Sequence, residues 1–386
     1  MKTAKSPSYR RTGDQNLIKK YQDDGELLSG EEWWRDHHQI VESHGYRLRQ
    51  RFLPGWKPSW IGTNLVPDYC EDGHPTDNPE VIDATRVSDG KFVCLKRLER
   101  RQAAHEVEIG QYLSTPERLS DLRNHCVPIL DHFRDEREPE FEFIVMPLLL
   151  PYDVVDFATV GEMVDFIRQT LEGLVFMHDQ GVAHRDCAIQ NIMMDAGEMF
   201  PNGFHPYAPW LERNGETKAK PLRRNDVSVK YYFIDFGISS LFTDPDKPRL
   251  VSGNDGHDHE PPEFTMVSQI RYNPFILDVF ILGNVYKKQI VQRNRNMDFL
   301  SPLVNKMTAM PQARLTAVEA LSEFEAIVAS RSSVFLRQAS YPVHHSAVEH
   351  VFRNAFEFFR QGWTMLRQLT RRSTYCGGKG MGTWTS

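Results

Sequence analysis

Apolar and polar positions alternate in the first part of the chain and take a helical spacing later. Val81, Ala84 and residues 93–96 alternate around a glycine, which is typical of a strand–turn–strand unit. Further apolar runs at 125–130 and 141–146 indicate two more strands. From residue 160 the apolar residues recur every three or four positions, as in a helix that buries one face. The pattern therefore predicts strands up to residue 146 and a core helix after them.

Helix signals also occur elsewhere along the chain. Residues 31–43 predict a short helix with Ser29 as its N-cap, and residues 99–113 have helical propensity. Residues 347–372 carry apolar side chains at helical spacing with arginines between them, and we expect this helix to pack on the rest of the protein. Residues 1–28 are polar and residues 377–386 are small and polar, which predicts disordered or frayed ends.

The candidate chemistry follows the core helix directly. Residues 184–186 read HRD, Asn191 lies five residues after the aspartate, and residues 235–237 read DFG. Phosphoryl transfer needs a carboxylate that accepts the proton of the acceptor hydroxyl, and a carboxamide and a second carboxylate that hold Mg²⁺. The two motifs in this order predict a phosphoryl-transfer site with Asp186 as the base and with Asn191 and Asp235 as metal ligands.

These motifs resemble those of the protein kinase family, and more narrowly those of divergent fungal protein-kinase-like proteins. The resemblance covers roughly residues 60–330. It implies an α+β, two-lobed protein-kinase-like fold, with a small β-rich N-lobe and a larger helical C-lobe, and an enzyme that uses ATP and Mg²⁺. We expect an N-terminal extension over 1–59, an N-lobe over 60–147, a C-lobe over 148–330 with an insertion at 196–228, and a C-terminal helical tail over 331–386.

The resemblance also implies site residues in the small lobe. Residues 93–96, VCLK, are similar to the kinase strand whose lysine holds the α- and β-phosphates, which assigns that role to Lys96. A glutamate of the next helix should support this lysine, and both Glu106 and Glu108 fit. Met146 would be the gatekeeper, and Leu148 lies in the hinge where adenine binds to backbone groups.

Two matches outside the catalytic loops extend the resemblance. Residues 278–283, DVFILG, resemble the kinase helix whose aspartate, here Asp278, holds the backbone of the catalytic loop. Residues 261–263, PPE, resemble the end of a kinase activation segment, and residues 313–321 resemble the segment whose arginine pairs with that glutamate. We therefore expect a buried ion pair between Glu263 and Arg314.

Three departures leave the activity open. No glycine lies between Gly73 and Gly90, where kinases carry a glycine-rich loop that approaches the phosphates closely. Gly110 stands where a bulky apolar residue should link the helix to DFG, which suggests looser coupling, and Ala188 stands where serine/threonine kinases usually carry lysine. The alternatives are a protein kinase, with serine or threonine acceptors favoured over tyrosine, and a pseudokinase that acts as a scaffold or regulator. A small-molecule phosphotransferase is disfavoured by DFG and by Arg185.

The stretch from residue 235 to residue 263 resembles an activation segment. It contains several serines and a threonine, and Arg185 beside the catalytic base is placed to pair with a phosphate there, which is a hypothesis about regulation. His257 and His259 lie among aspartates, but their spacing is irregular for metal ligands. We interpret these residues as a flexible acidic loop.

Charge and composition narrow the partners and the compartment. The formal net charge is −6 and the pI is near 6.2, which argues against a general nucleic-acid-binding protein. No apolar run is long enough for a transmembrane segment, and the N-terminus lacks the apolar core of a signal peptide. The five cysteines are scattered and odd in number, so we expect a reducing compartment, cytoplasmic or nuclear. The substrate protein is unknown, and the basic insertion and the C-terminal helix are the candidate docking surfaces for a partner.

Overall fold

The computed structural model describes residues 24–76, 78–244, 246–265 and 271–376. Residues 1–23 and 377–386, for which we predicted loose ends, lie outside this part of the chain, as does residue 77 of the segment that should cover the phosphates. The described chain has a small lobe built on an antiparallel sheet and a larger lobe built mainly of helices. This is the two-lobed α+β architecture that the resemblance implies.

The small lobe is organised around a five-stranded sheet in which the strands lie in the order β1-β2-β3-β5-β4. All neighbouring strands in it are antiparallel. Two smaller sheets, β6-β8-β9 and β10-β7, belong to the larger lobe. The strands are Tyr46–Leu48 (β1), Val81–Arg86 (β2), Phe92–Glu99 (β3), Asp131–Arg134 (β4), Phe141–Pro147 (β5), Leu150–Pro151 (β6), Val182–Ala183 (β7), Ile192–Asp195 (β8), Lys230–Phe233 (β9) and Ser240–Leu241 (β10).

Helices flank the sheet and form most of the larger lobe. The α-helices are Ser29–Asp36 (α1), His38–Ser43 (α2), Arg100–Leu113 (α3), Pro116–Leu119 (α4), Val160–Asp179 (α5), Pro262–Thr265 (α6), Pro274–Val285 (α7), Ser301–Met307 (α8), Ala317–Ala329 (α9), Ser333–Leu336 (α10) and Ala347–Cys376 (α11). A π-helical turn at Tyr286–Val291 extends α7, and 3₁₀ helices lie at Gln50–Phe52, Pro67–Tyr69, Glu71–Gly73, Ile189–Asn191, Gly197–Met199, Arg224–Asp226, Arg295–Leu300 and Pro311–Ala313.

Helix α5 is the core helix that the apolar spacing predicted. It begins after Thr159, whose hydroxyl accepts a hydrogen bond from the Glu162 N–H at 3.3 Å, so an N-cap replaces one of the bonds missing in the first turn. Met163, Ile167 and Leu171 are fully buried along one side of the helix. The helix ends directly before β7, and this places the catalytic loop at the edge of the large-lobe core.

The first strand of the small lobe comes from the segment that we assigned to the N-terminal extension. In β1, Leu48 lies opposite Ala84 of β2. Helix α1 covers the outer face of the sheet, where Trp34 is fully buried in the same cluster as Phe143. A tryptophan buries a large apolar area, so these residues anchor the segment to the sheet. The small lobe thus begins before residue 60, and a strand of three residues is too short to show alternation.

The start of helix α1 also differs from the prediction. Its N-cap is Leu28 and not Ser29. The Glu31 carboxylate accepts the Leu28 N–H at 2.9 Å, because Glu31 is held in the protein interior by an ion pair with Arg51. The position of a buried charge therefore decides where this helix begins.

Two arginines of the insertion at residues 196–228 make contacts within the chain. The Arg213 guanidinium lies 4.1 Å from the centre of the Phe92 ring on β3. Arg224 is buried and donates to the Tyr231 hydroxyl at 2.9 Å. These two cations serve contacts within the chain, whereas Lys218 and Lys220 are exposed, so docking of a partner on the insertion stays a prediction.

Up to Trp363, the C-terminal helix α11 presents its apolar side chains to solvent, so it packs on the rest of the protein, as predicted, but not through its apolar side. Phe352 and Phe359 are 72% and 81% exposed, and Trp363 is also exposed. The polar side of α11 makes the contact instead. Glu357 is buried and pairs with Arg223 of the insertion at 3.2 Å.

Candidate active site

A lysine, a glutamate and an aspartate meet between the two lobes. Lys96 Nζ lies 2.6 Å from Glu106 Oε1 and 3.1 Å from Asp235 Oδ1. Lys96 is on β3, Glu106 is on α3, and Asp235 follows β9, so each side chain comes from a different element. Glu108 is 63% exposed and contacts His105 at 3.3 Å. Of the two glutamates that the sequence left open, the structure therefore places Glu106 against the lysine.

The charges in this cluster stabilise one another. Burial alone would lower the pKa of Lys96, but Glu106 and Asp235 outweigh it and hold that pKa above its ordinary value. Burial raises the pKa of Glu106, and Lys96 opposes the rise. For Asp235, the lysine outweighs burial and keeps the pKa of the carboxyl below its usual range. The lysine is therefore held as a cation, and Asp235 as an anion, at neutral pH.

The catalytic loop is held by Asp278 of α7, as predicted. Asp278 Oδ2 accepts the His184 N–H at 2.8 Å, and Oδ1 accepts the Arg185 N–H at 2.6 Å. Arg185 and Asp235 have φ angles of 67° and 66°, a left-handed conformation that side chains other than glycine seldom adopt. Strained residues of this kind cluster at functional sites when the surrounding contacts enforce them. Here the strain falls on the two motifs that the sequence singled out.

Asp186 is buried and both of its carboxylate oxygens are hydrogen-bonded. Asn191 Nδ2 donates to Oδ2 at 2.8 Å and to the backbone O of Asp186 at 3.0 Å. The N–H of His257 donates to Oδ1 at 2.9 Å, and the Nδ1 of its ring lies 2.6 Å from Oδ2. An acceptor hydroxyl would need the oxygens that His257 now occupies. The segment that we interpreted as a flexible acidic loop thus reaches the candidate base.

The predicted Mg²⁺ ligands lie on adjoining stretches of chain. The Ile234 N–H donates to the backbone O of Asn191 at 3.0 Å, so Asn191 is close to the residue that precedes Asp235. The contacts of Asp235 with Lys96 and Gly237 both use Oδ1, and its side chain is 45% exposed. An exposed carboxylate and a nearby amide fit a Mg²⁺ ion, which usually takes one or two carboxylates and keeps several waters or phosphate oxygens.

The hinge residues lie where the resemblance expects them, but the glycine-rich loop is replaced. Met146 is near the end of β5 and lies opposite Cys94 of β3, and Leu148 follows that strand and packs against the large-lobe core. Residues 49–80 join β1 to β2. His74 and Thr76, which fall within the expected phosphate loop, are buried. The connection is therefore packed into the small lobe at these two residues, whereas residues 61–66 within it are exposed.

Gly110 does not leave a gap between helix α3 and the rest of the lobe. A Cβ added at Gly110 would lie 3.0 Å from Ile129 Cγ1, so Ile129 fills the space that a larger side chain would take. This contact does not link the helix to DFG, so the looser coupling that we inferred from this glycine stays a prediction. Phe236 of DFG is buried, and its ring centre lies 5.1 Å from that of His184.

The predicted ion pair at the end of the activation segment is present. Arg314 Nη1 and Nη2 contact Glu263 Oε1 and Oε2 at 2.5 and 3.1 Å. Arg314 also donates to the backbone O of Ile276 at 2.9 Å. The pair fastens the end of the segment to helix α7. Arg185, for which we proposed a phosphate partner, donates to the backbone oxygens of Ile238 and Ser252 at 2.9 and 3.0 Å, and its phosphate pairing stays a prediction.

Comparison with known proteins assigns the family. A sequence model described as the protein kinase domain matches residues 77–294, which is more than half of the 386-residue chain. The chain belongs to the protein kinase family. The match begins within the connection between β1 and β2 and ends beyond the π-helical turn, so this kinase domain contains the lysine, catalytic-loop and DFG residues described above.

Individual relatives of the kinase are distant. It is 23% identical over 205 residues to the serine/threonine-protein kinase chk1 of Schizosaccharomyces pombe. That match covers 50% of this chain and 34% of chk1, so the kinase spans only about a third of that relative's length. A crystal structure of the Rad53 kinase domain and SCD2 is similar at 17% identity, with a TM-score of 0.38, over 62% of this chain and 81% of that chain.

Several site residues of this kinase could not be found by motif. Four such residues lie at the cleft between the lobes: Arg49 after β1, His205 and Tyr207 of the insertion, and His257 of the activation segment. Each lies in a loop without periodic spacing, and each contacts residues far away in the chain. For His257 the sequence did carry a signal, its position among aspartates, but we interpreted these residues as a flexible acidic loop.

Proposed function

We propose that this chain is an ATP- and Mg²⁺-dependent protein kinase that transfers the γ-phosphoryl group to serine or threonine hydroxyls of a protein. The observation that carries the proposal is the contact of Lys96 with both Glu106 and Asp235. A protein kinase needs the lysine–glutamate pair and the DFG aspartate in place together. A pure scaffold would have no chemical need for this arrangement.

Each site residue has a step to perform. Lys96 would bind the α- and β-phosphates, and Asn191 and Asp235 would hold Mg²⁺, which supplies neutralisation of the phosphate charge. Asp186 would accept the proton of the acceptor hydroxyl as its oxygen bonds to the γ-phosphorus and the bond to ADP breaks. The acceptor must displace His257 from Asp186, since both need the same carboxylate oxygens.

Two observations bear on the acceptor class. Ala188 stands two residues after Asp186, where serine/threonine kinases usually carry lysine, so this position does not favour them. The relative from fission yeast is named a serine/threonine-protein kinase, and this favours serine or threonine for the present chain. We keep tyrosine as the less favoured acceptor.

A pseudokinase is the second candidate function. The connection of residues 49–80 lacks the glycine-rich loop, and the candidate base is covered by its own activation segment. A scaffold or regulator would tolerate both features permanently. In an active kinase, both must be compatible with a state that admits ATP and the acceptor.

We also propose a reducing compartment, cytoplasmic or nuclear. Cys70, Cys94, Cys126 and Cys187 are free thiols. Among the described residues, no helix combines the length and the apolar character that crossing a bilayer requires.

The proposal is tested by incubating the protein with γ-labelled ATP and measuring transfer of the label into a panel of proteins and into the kinase itself. We expect Mg²⁺-dependent incorporation on serine or threonine, and a fall of about 10²- to 10⁴-fold in an Asp186→Asn variant, which is the usual contribution of a general base. Asp195→Asn, an exposed aspartate at the end of β8, is the matched control and should retain activity. Folded wild-type protein that binds ATP but transfers nothing would favour the pseudokinase.

A further inference from the structure

One face of the small-lobe sheet forms the roof of the cleft. Side chains alternate along a strand, so Cys94 points to the same side as Lys96. Residues directly opposite each other in neighbouring antiparallel strands share a face. Asp83 lies opposite Cys94, Val81 lies opposite Lys96, and Met146 lies opposite Cys94 on the other side. These side chains therefore line one surface, with the phosphate lysine at one end and the hinge beside it.

Tyr207 of the insertion lies against this surface. The pKa of Tyr207 lies well above its ordinary value. Burial is the largest cause, and the Asp83 carboxylate and Cys94 add to the rise. The ring centre lies 5.0 Å from the guanidinium carbon of Arg49. The ring thus lies beside Arg49, which pairs at 3.0 Å with Asp83 of this face, opposite Cys94.

Arg49 and His205 fix this tyrosine in place. Arg49 Nε donates to both carboxylate oxygens of Asp83 at 3.0 Å, and its Nη1 donates to the backbone O of Glu71 at 3.1 Å. His205 Nε2 lies 2.9 Å from the same Glu71 oxygen, and its Nδ1 accepts the Tyr207 N–H at 3.3 Å. Burial, and then Arg49, lower the pKa of His205 well below its ordinary value, so the ring is neutral and can accept that bond.

The insertion is held on both sides of Tyr207. Arg213 stacks on Phe92, which shares the cleft face with Cys94 because it lies two residues before it on β3. Gly215 has a φ of 70°, and a Cβ there would lie 2.5 Å from the backbone N of Glu71. The two backbones therefore touch at a position that only glycine fits.

We propose that residues 196–228 form an autoinhibitory strap, in which Tyr207 occupies the space beneath β2 and β3 that the adenine base of ATP needs. The strap comes from the large lobe and fastens to the small lobe, so it also holds the two lobes together. ATP binds when the strap leaves the sheet. This inference rests on the proposed function, because it takes Lys96 and Met146 to border the nucleotide site.

The test compares Tyr207→Ala with Tyr207→Phe, which keeps the ring and loses only the hydroxyl. Calorimetry with Mg²⁺ and ATP measures nucleotide binding, and mass spectrometry of a thiol reagent measures labelling at Cys94. We expect Tyr207→Ala to lower the apparent Kd at least about tenfold, because a closed site divides the intrinsic affinity by its open fraction. Burial raises the pKa of the Cys94 thiol to about 12, so labelling should be slow in wild type and faster in Tyr207→Ala. Tyr207→Phe should match wild type in both measurements.

A second variant keeps the proposal testable if Tyr207→Ala unfolds. Gly215→Ala should loosen the strap through its collision with Glu71 while leaving the cleft side chains unchanged, and it should also increase ATP affinity. Equal ATP binding in wild type and in folded variants overturns the strap and leaves the proposed function standing. If Tyr207→Ala labels faster at Cys94 but binds no ATP at millimolar nucleotide, the proposed function is overturned. The proposed competition between Tyr207 and ATP is then overturned as well. Unchanged labelling at Cys94 in folded Tyr207→Ala overturns the placement of the ring.

Discussion

The buried ion pair between Glu31 and Arg51 provides a quantitative test of the small lobe. Neither side chain is exposed to solvent. Arg51 Nε and Nη2 contact Glu31 Oε1 and Oε2 at 2.9 and 2.8 Å, and Glu31 also accepts the N–H groups of Thr76 and Leu28 at 3.0 and 2.9 Å. This carboxylate therefore joins helix α1 to the connection between β1 and β2.

Replacing Glu31 by glutamine keeps the shape of the side chain and removes its charge. Arg51 is then buried without a counter-charge, and we expect a loss of about 3–5 kcal/mol in the free energy of unfolding, as for other broken buried pairs. The matched control is Glu32→Gln, which breaks an exposed pair with Arg35 at 3.5 Å and should cost at most about 1 kcal/mol. Replacing both Glu31 and Arg51 by methionine should cost less than Glu31→Gln, since no charge is left buried.

Urea unfolding followed by tryptophan fluorescence measures these differences, since Trp34 is buried beside the pair on helix α1. A shift of the midpoint at constant slope reports a change in stability. Equal midpoints for Glu31→Gln and Glu32→Gln would show that the pair between Glu31 and Arg51 does not stabilise the small lobe. That result would also mean that the segment before residue 60 is not an integral part of the small lobe.

Three further predictions concern activity, pH and the large lobe. Glu106→Gln should reduce phosphoryl transfer by about 10- to 100-fold, because hydrogen bonds between charged groups contribute about 1.5–3 kcal/mol. Glu108→Gln should leave the transfer rate near that of wild type. Equal losses in the two variants would show that Glu106 has no special role in supporting Lys96. Burial lowers the pKa of His125 to about 4. The unfolded chain takes up this proton first, from about pH 6.5 downwards, so stability should fall by up to about 3 kcal/mol as the pH drops to 4, and His125→Gln should flatten this slope in urea titrations. Arg314→Gln should lower the unfolding free energy by about 3–5 kcal/mol because it leaves Glu263 buried and unpaired, and an unchanged urea midpoint would contradict this.

Short motifs with fixed spacing made the catalytic half of the site predictable. Asp186, Asn191 and Asp235 lie next to regular elements, so a local match in the sequence fixes their place in space. The same holds for Asp278 and Arg314, whose contacts follow from the helices that carry them. The place of such residues can be predicted without knowing how the rest of the chain folds.

Contacts between distant loops were not predictable in this way. Arg49 and His205 approach to 3.3 Å across 156 positions of sequence, and neither lies in a periodic segment. The spacing of apolar residues in the C-terminal helix was correct for a helix but did not show which side would be covered. There the buried Glu357 and its arginine partners decide the orientation, and the phenylalanines face solvent.

In the function that we propose, Lys96, Asn191 and Asp235 form a working metal–phosphate site. Calorimetry of ATP binding with and without Mg²⁺ tests it most directly, in the Tyr207→Ala protein so that the ring cannot compete. We predict binding that requires Mg²⁺ and that weakens at least about tenfold when Asp235→Asn is added, in line with the loss of a charged contact. These residues do not form such a site if the folded Tyr207→Ala protein binds no ATP at millimolar nucleotide, or if adding Asp235→Asn leaves its ATP binding unchanged.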